Sequence, residues 1–346
     1  MSESPYFQHY ERKTMARLVK IATNIFARNG IDFANAKRAG GWTNATWLAD
    51  GRALRLSIKP GSEAIRREAR LAALLPLDTG YPTILETGVT EGYEWSLSME
   101  IAGESLGQVW HGLNWNERIT ALRQLWQKAQ AVHSVEISAA AYLSRHQAWF
   151  NVINPEQASV QAAGLAHQGI LSAHQVDILD NALFRYWTAL SKAGCVLNHG
   201  DLTLDNAIWN EGRVVALLDF EFAVIAPAEL DLNELVKCAF GPGETGDPPP
   251  DSDGACWEQL QQAVTDLAMP VLDHQGGNDL LLGYAILLEL WLLVDWLAHP
   301  EGEGPFEQWQ PYRRLVSLVD GKGGYLAPIL ALNRRRQAAS RRASTL

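Results

Sequence analysis

Two short runs carry the residues best suited to chemistry: Asn198-His199-Gly200-Asp201-Leu202-Thr203-Leu204-Asp205-Asn206 and Leu217-Leu218-Asp219-Phe220-Glu221. In the first, a carboxylate and an amide five residues apart on one loop can face a single ligand. In the second, a carboxylate at the end of an apolar run can reach the same metal. Phosphoryl transfer needs such a set: one group to accept the nucleophile's proton, and an oxygen-rich pair to hold magnesium on the phosphates. An isolated Asp-x-x-x-x-Asn is common by chance, so the weight rests on the spacing, the flanking strand-like runs and the Asp-Phe-Glu taken together. Asp205 reads as a bystander, and His199 as a brace of the loop rather than a proton carrier.

These loops need elements to position them. Residues 11–29 place Met15, Leu18, Val19, Ile21, Ala22, Ile25 and Phe26 at helical spacing before an Asn29-Gly30 stop. Residues 42–49 and 53–59 read as strands joined by a tight Asp50-Gly51 turn. Side chains alternate along a strand, so Ala53, Arg55, Ser57 and Lys59 share one face. Ser62 can cap a helix running to Leu75, and strands over 83–89 and 93–99 complete a small β-rich lobe. Residues 114–192 are helical in pattern, strands are expected over 195–198 and 214–218, and helical spacing resumes at Glu229. Residues 241–254, rich in Gly, Pro and Asp, form a loop.

With these pieces in order, the chain resembles the aminoglycoside phosphotransferase and choline kinase-like family, which shares its catalytic core with protein kinases. The kinase pattern H-R-D-L-x-x-x-N appears as His199-Gly200-Asp201-Leu202 through Asn206, and D-F-G as Asp219-Phe220-Glu221. The resemblance implies an α+β, two-lobed protein-kinase-like fold: a small antiparallel β-sheet lobe and a larger, mainly helical lobe. Residues 1–30 would form an N-terminal helix, 31–102 the nucleotide-binding lobe, 103–333 the catalytic and substrate-binding lobe, and 334–346 a basic, disordered tail.

It also implies roles. Asp201 would be the catalytic base, Asn206 and Asp219 the magnesium ligands, and His199 and Asp231 supports of the catalytic loop. Ala53-Leu54-Arg55 stands where kinases carry Ala-Ile-Lys, which sets Ala53 near the adenine and makes Arg55 the phosphate clamp, with Lys59 as fallback. Glu68 matches the helix glutamate that pairs with the clamp, Thr43 and Asn44 the nucleotide-positioning loop, and Glu100, Ile101 and Ala102 the hinge beside adenine. The segment from Glu221 to Leu232 is too short for a protein-kinase activation segment, so a small-molecule hydroxyl is the expected acceptor, with ATP and magnesium as cofactors. Glu289 either meets an internal Arg or Lys or faces the cleft and recognises an amine-bearing acceptor.

Composition sets the outer limits. At 346 residues, 47% hydrophobic and 20% charged, the chain fits a globular protein divided into two lobes. The formal charge of −10 includes Arg334, Arg335, Arg336, Arg341 and Arg342, without which the body carries −15, a balance that disfavours nucleic acid as partner. Three widely spaced cysteines and the absence of a charged-then-apolar leader suggest a cytoplasmic setting. The apolar run 280–297 is barely long enough to span a membrane and contains Glu289 and Asp295, so it reads as a buried helix. Two other readings carry less weight: a nucleotide-binding pseudokinase with a regulatory or scaffolding role, against which the trio Asp201, Asn206 and Asp219 counts, and a metal-dependent hydrolase built on His199 and Asp201, which lacks the further His and Asp ligands such a site needs.

Overall fold

The structure is a computed structural model, and it describes residues 5–39, 44–146, 148, 150, 154–241, 254–298 and 304–343. The small lobe is an antiparallel sheet in the order β1-β2-β3-β5-β4, with β1 Lys37–Ala39, β2 Asn44–Ala49, β3 Arg52–Ser57, β4 Ile84–Thr90 and β5 Tyr93–Met99. Asp50-Gly51 and Glu91-Gly92 turn its two hairpins with positive φ at both residues, 47° and 70° in the first, 54° and 85° in the second. Such turns match the twist of the strands they join. Leu54 and Leu56 point to one face of β3 and pack with Trp47, Trp95 and Leu97 against Leu18, Ile21, Ala22, Ile25 and Phe26 of the helix Pro5–Arg28. That opening helix, set apart from the sequence as a unit of its own, therefore belongs to the small lobe's core. The helix Ala64–Ala72 packs near β5 and β3, starting two residues after Ser62, whose Oγ accepts from the Ala64 N–H.

The large lobe is built on the helices Trp115–His133, Ala173–Leu190, Glu229–Phe240, Gly254–Leu272 and Gly277–Ala298, joined by shorter ones. Gly277–Ala298 is long and apolar enough to cross a membrane, with a mean hydropathy of 1.9, but it packs inside, against Ala173–Leu190, Glu229–Phe240 and Gln310–Leu318. Two small sheets hold the polar loops. Val196–Asn198 pairs with Val224–Ala226, and Ala207–Asn210 pairs with both Arg213–Leu217 and Glu104–Ser105. The strand expected over 214–218 is thus part of a hairpin whose first half was hidden in the sequence.

The basic tail also differs from expectation. Residues 334–343 continue the helix Ala327–Ala343. Its first turns are anchored by buried Ile329, Leu330 and Asn333, the last donating to Leu272 O at 2.9 Å and Asn278 Oδ1 at 2.8 Å. Gln337 donates to His274 O, and the Ala- and Arg-rich remainder has high helix propensity.

Candidate active site

The loop 199–206 is shaped first by a residue without a side chain. Gly200 has φ +84°, and a Cβ there would lie 2.1 Å from Phe222 O, so the loop passes the Asp-Phe-Glu segment at backbone distance. Its N–H and that of His199 both donate to the fully buried Asp231 carboxylate, at 2.9 Å each. His133 Nε2 completes the set at 3.0 Å. Burial pushes the Asp231 carboxyl up, but its contacts with His133, His199 and the Gly200 N–H outweigh that and hold it below the usual carboxylate range. His199 Nε2 lies 2.8 Å from Leu218 O, and its Nδ1 accepts from the Asp201 N–H at 3.3 Å. The network assigns the proton to Nε2 and uses both ring nitrogens to tie the two polar loops together. Gly200→Ala is expected to displace this loop and reduce soluble, thermally stable protein as well as activity, checked by thermal denaturation beside turnover.

On this frame the three expected chemical groups converge. Asn206 Nδ2 donates to Asp201 Oδ2 at 2.8 Å and to Asp201 O at 2.9 Å, which turns its carbonyl oxygen away from Asp201. Its own backbone carbonyl accepts from Leu218 N–H at 2.8 Å, one residue before Asp219. Asp219 has φ 63°, a left-handed conformation that Asp tolerates better than most residues. Burial, with the nearby Glu234 carboxylate, pushes the Asp201 carboxyl up to about 6, against the opposing pull of His199 and Asn206.

The small lobe reaches the same place. Arg55 forks between the two: NH1 bonds both Glu68 oxygens at 2.8 and 2.9 Å, and NH2 bonds Asp219 Oδ1 at 2.9 Å. Burial disfavours its charge, but Glu68 and Asp219 outweigh burial and hold the guanidinium protonated. Glu68 Oε1 also accepts from Tyr81 OH at 2.8 Å and from the Phe220 N–H at 2.9 Å, so one buried carboxylate fixes Arg55 and the Asp-Phe-Glu backbone together. Lys59 is exposed past the end of β3. Ala53 pairs with Ser98 on β5, and Glu100, Ile101 and Ala102 carry the chain from β5 to the strand Glu104–Ser105 of the large lobe, with Glu100 N–H donating to Gly51 O at 2.9 Å. Asn44 Nδ2 donates to Glu221 Oε2 at 3.2 Å, whereas Thr43 lies outside the described residues.

Residues 36–261, more than half of the chain, match the profile of a phosphotransferase enzyme family. The chain belongs to that family. The phosphotransferase fold is seen again in solved structures: an ADP-bound aminoglycoside phosphotransferase APH(2'')-Ib is 14% identical, with a TM-score of 0.58 over 89% of this chain and 98% of its own. The GDP complex of an aminoglycoside 2'-phosphotransferase-IIIa is 15% identical, with a TM-score of 0.60 over 92% and 99%. A thermostable mutant of APH(4)-Ia in ternary complex with ADP and hygromycin B is 14% identical, with a TM-score of 0.61 over 88% and 98%. At these identities the likeness is one of fold. No curated protein sequence matches significantly.

One expected site residue of this phosphotransferase stands apart from the rest. Glu289 is fully buried and lies 2.8 Å from Arg314 Nε, itself 2% exposed. The reading in which Glu289 faces the cleft to meet a cationic acceptor is corrected accordingly: an internal arginine meets it, because an unpaired carboxylate cannot be held among Leu287, Leu288 and Leu290 without large cost. Glu289→Gln is expected to cost about 3 kcal/mol of stability by leaving Arg314 a buried charge without its counter-ion, which urea denaturation would measure. Sequence reasoning assigned no role to Tyr81, His133 or Glu234. Tyr81 and His133 bind Glu68 and Asp231 across 13 and 98 residues, and neither sits in a spacing pattern that could have revealed it; Glu221 stood in the Asp-Phe-Glu motif, but its bond to Asn44, 177 residues away, could not be read there.

Proposed function

We propose that the protein is an ATP- and magnesium-dependent phosphotransferase that moves the γ-phosphoryl group to a hydroxyl of a small molecule. The observation that carries this reading is the meeting of two hydrogen-bonded sets, Asp201 with Asn206 and Arg55 with Asp219 and Glu68, tied together by the Leu218 N–H donating to Asn206 O. Pure nucleotide scaffolding needs Arg55 and Glu68 but has no use for a carboxylate poised beside Asn206, so the pseudokinase reading is the weaker one.

The residues fit magnesium. A carbonyl oxygen from Asn206 and the partly exposed carboxylate of Asp219 are hard oxygen donors, and magnesium is usually held by one or two such groups plus phosphates and water. When bound, the ion neutralises phosphate charge as the leaving group departs. Asn206 and Asp219 would hold it, Arg55 would bind phosphate oxygens in bidentate fashion, and Ala53 with the backbone of Glu100, Ile101 and Ala102 would flank the base. Asp201 would take the acceptor's hydroxyl proton, positioned by the Asn206 amide. Nucleotides bound in the solved relatives support the donor half of this reading.

The test is ADP release from ATP and magnesium in the presence of hydroxylated small molecules. Acceptor-stimulated release supports phosphotransfer. Tight nucleotide binding with no stimulated release by any acceptor would favour the scaffolding alternative.

A further inference from the structure

Three consecutive residues of the large lobe are each held by the small lobe. Arg55 reaches the Asp219 carboxylate, Glu68 accepts from the Phe220 N–H, and Arg67 donates to the Glu221 backbone carbonyl. A fourth bond starts from the sheet: Asn44, the first residue of β2, donates from its side-chain amide to Glu221 Oε2 at 3.2 Å. Both partners are buried, Asn44 at 7% and Glu221 at 6% exposure, although they lie 177 residues apart. Glu221 stands in the turn Phe220–Phe222, which is anchored on its other side as well. Phe222 O lies against Gly200, where a Cβ would come within 2.1 Å, and Ala223 O accepts from the Arg145 N–H at 2.7 Å. Positive charge stands beside the Glu221 carboxylate: Arg67 bonds the residue's own carbonyl, and the Arg145 guanidinium lies over the adjoining Phe222 ring, 5.0 Å from its centroid.

We infer that Glu221 is a positioning residue: it pins the start of β2, and with it the nucleotide-positioning loop that ends at Asn44, at a set distance from the Asp219 carboxylate. The inference rests on the proposed nucleotide site. In that reading Arg55 turns to phosphate oxygens and Asp219 to magnesium, so their bond to each other is given up on binding. The Asn44–Glu221 bond involves neither group and persists, tying β2 to the Asp-Phe-Glu segment while the nucleotide is held. Exposure separates the two acids of that segment. The Asp219 side chain is 31% exposed and open to an ion, whereas Glu221 is enclosed and its oxygen already accepts from Asn44. A buried hydrogen bond to a charged group is among the stronger ones, and a misplacement of about 1 Å in a binding group can cost about a hundredfold in rate.

Calorimetry of ATP binding tests this without an acceptor. Glu221→Ala is expected to weaken ATP binding about tenfold, by the same factor with and without magnesium, the scale of one lost hydrogen bond to a charged group. Glu221→Gln keeps an oxygen for the Asn44 amide and is expected to restore most of the affinity. Asn44→Ala should match Glu221→Ala, and the double variant should bind no more weakly than either, because all three lose the same bond. Thermal denaturation accompanies each variant: lower melting temperatures with unchanged ATP affinity would mean a merely structural role and overturn the inference. A loss confined to magnesium-containing buffer and shared by Glu221→Gln would make Glu221 a metal ligand and overturn it too, as would additive losses in the double variant. Wild-type protein that shows these variant effects but transfers phosphate to no acceptor sinks the proposed function and leaves this inference standing. Wild-type protein that binds no ATP overturns both.

Discussion

Asp201→Asn is expected to lower turnover by a factor of about 10²–10⁴ while leaving the affinity for ATP and magnesium near its wild-type value, because a positioned general base contributes on that scale. The amide keeps the size of the side chain but cannot take a proton from the acceptor hydroxyl. In the native protein the Asp201 carboxyl is pushed up to about 6, first by burial and then by Glu234. A base must be ionised, so kcat/KM of the wild type should fall as the pH drops through about 6. Stability follows from the same shift with the sign reversed from the usual paired carboxylate. The folded state favours the protonated form, so Asp201 stabilises the fold below the ordinary carboxylate value, and this contribution is lost as the pH rises through about 6. Asp201→Asn should therefore melt at a higher temperature than wild type at pH 8, with the gain shrinking on acidification. Full activity in Asp201→Asn would remove the base from the account, and a lower melting temperature at pH 8 would contradict its electrostatics.

Asp219→Asn is expected to abolish the strengthening of ATP binding by magnesium and to reduce turnover with it. The substitution removes the negative charge that a hard divalent ion requires while keeping an oxygen that can still accept from Arg55. Changes in groups that merely orient metal ligands cost about 10–100-fold in metal affinity, so loss of a ligand's charge should cost at least as much. Calorimetry of ATP binding with and without magnesium measures this directly. Equal strengthening by magnesium in mutant and wild type would show that Asp219 is not a metal ligand.

Much of the site could be seen in the chain because its logic is local. Asp201 and Asn206 are five residues apart and meet through one side-chain hydrogen bond, while Asp219 follows a strand whose apolar run is plain. Strand alternation put Arg55 on the right face, and Glu68 lies only 13 residues on. What stayed hidden depends on long-range packing or on elements too short to show a period. The strands Ala207–Asn210 and Val224–Ala226 are four and three residues long and gain definition only from their partners. The helix through 334–343 was hidden for another reason: polar Asn333 and Gln337 anchor it where apolar spacing stops. Glu289 shows the limit of motif reasoning, since its role was decided by Arg314 on a separate helix and not by its own neighbours.

The most direct measurement of the central claim is phosphorus NMR of ATP and magnesium incubated with the protein and a panel of hydroxylated small molecules. The γ-phosphate signal is expected to give way to a growing phosphomonoester signal without release of inorganic phosphate, with wild-type protein and not with Asp201→Asn. Persistence of intact ATP with every hydroxylated acceptor offered, or a phosphomonoester that forms equally well without the Asp201 carboxylate, would contradict it.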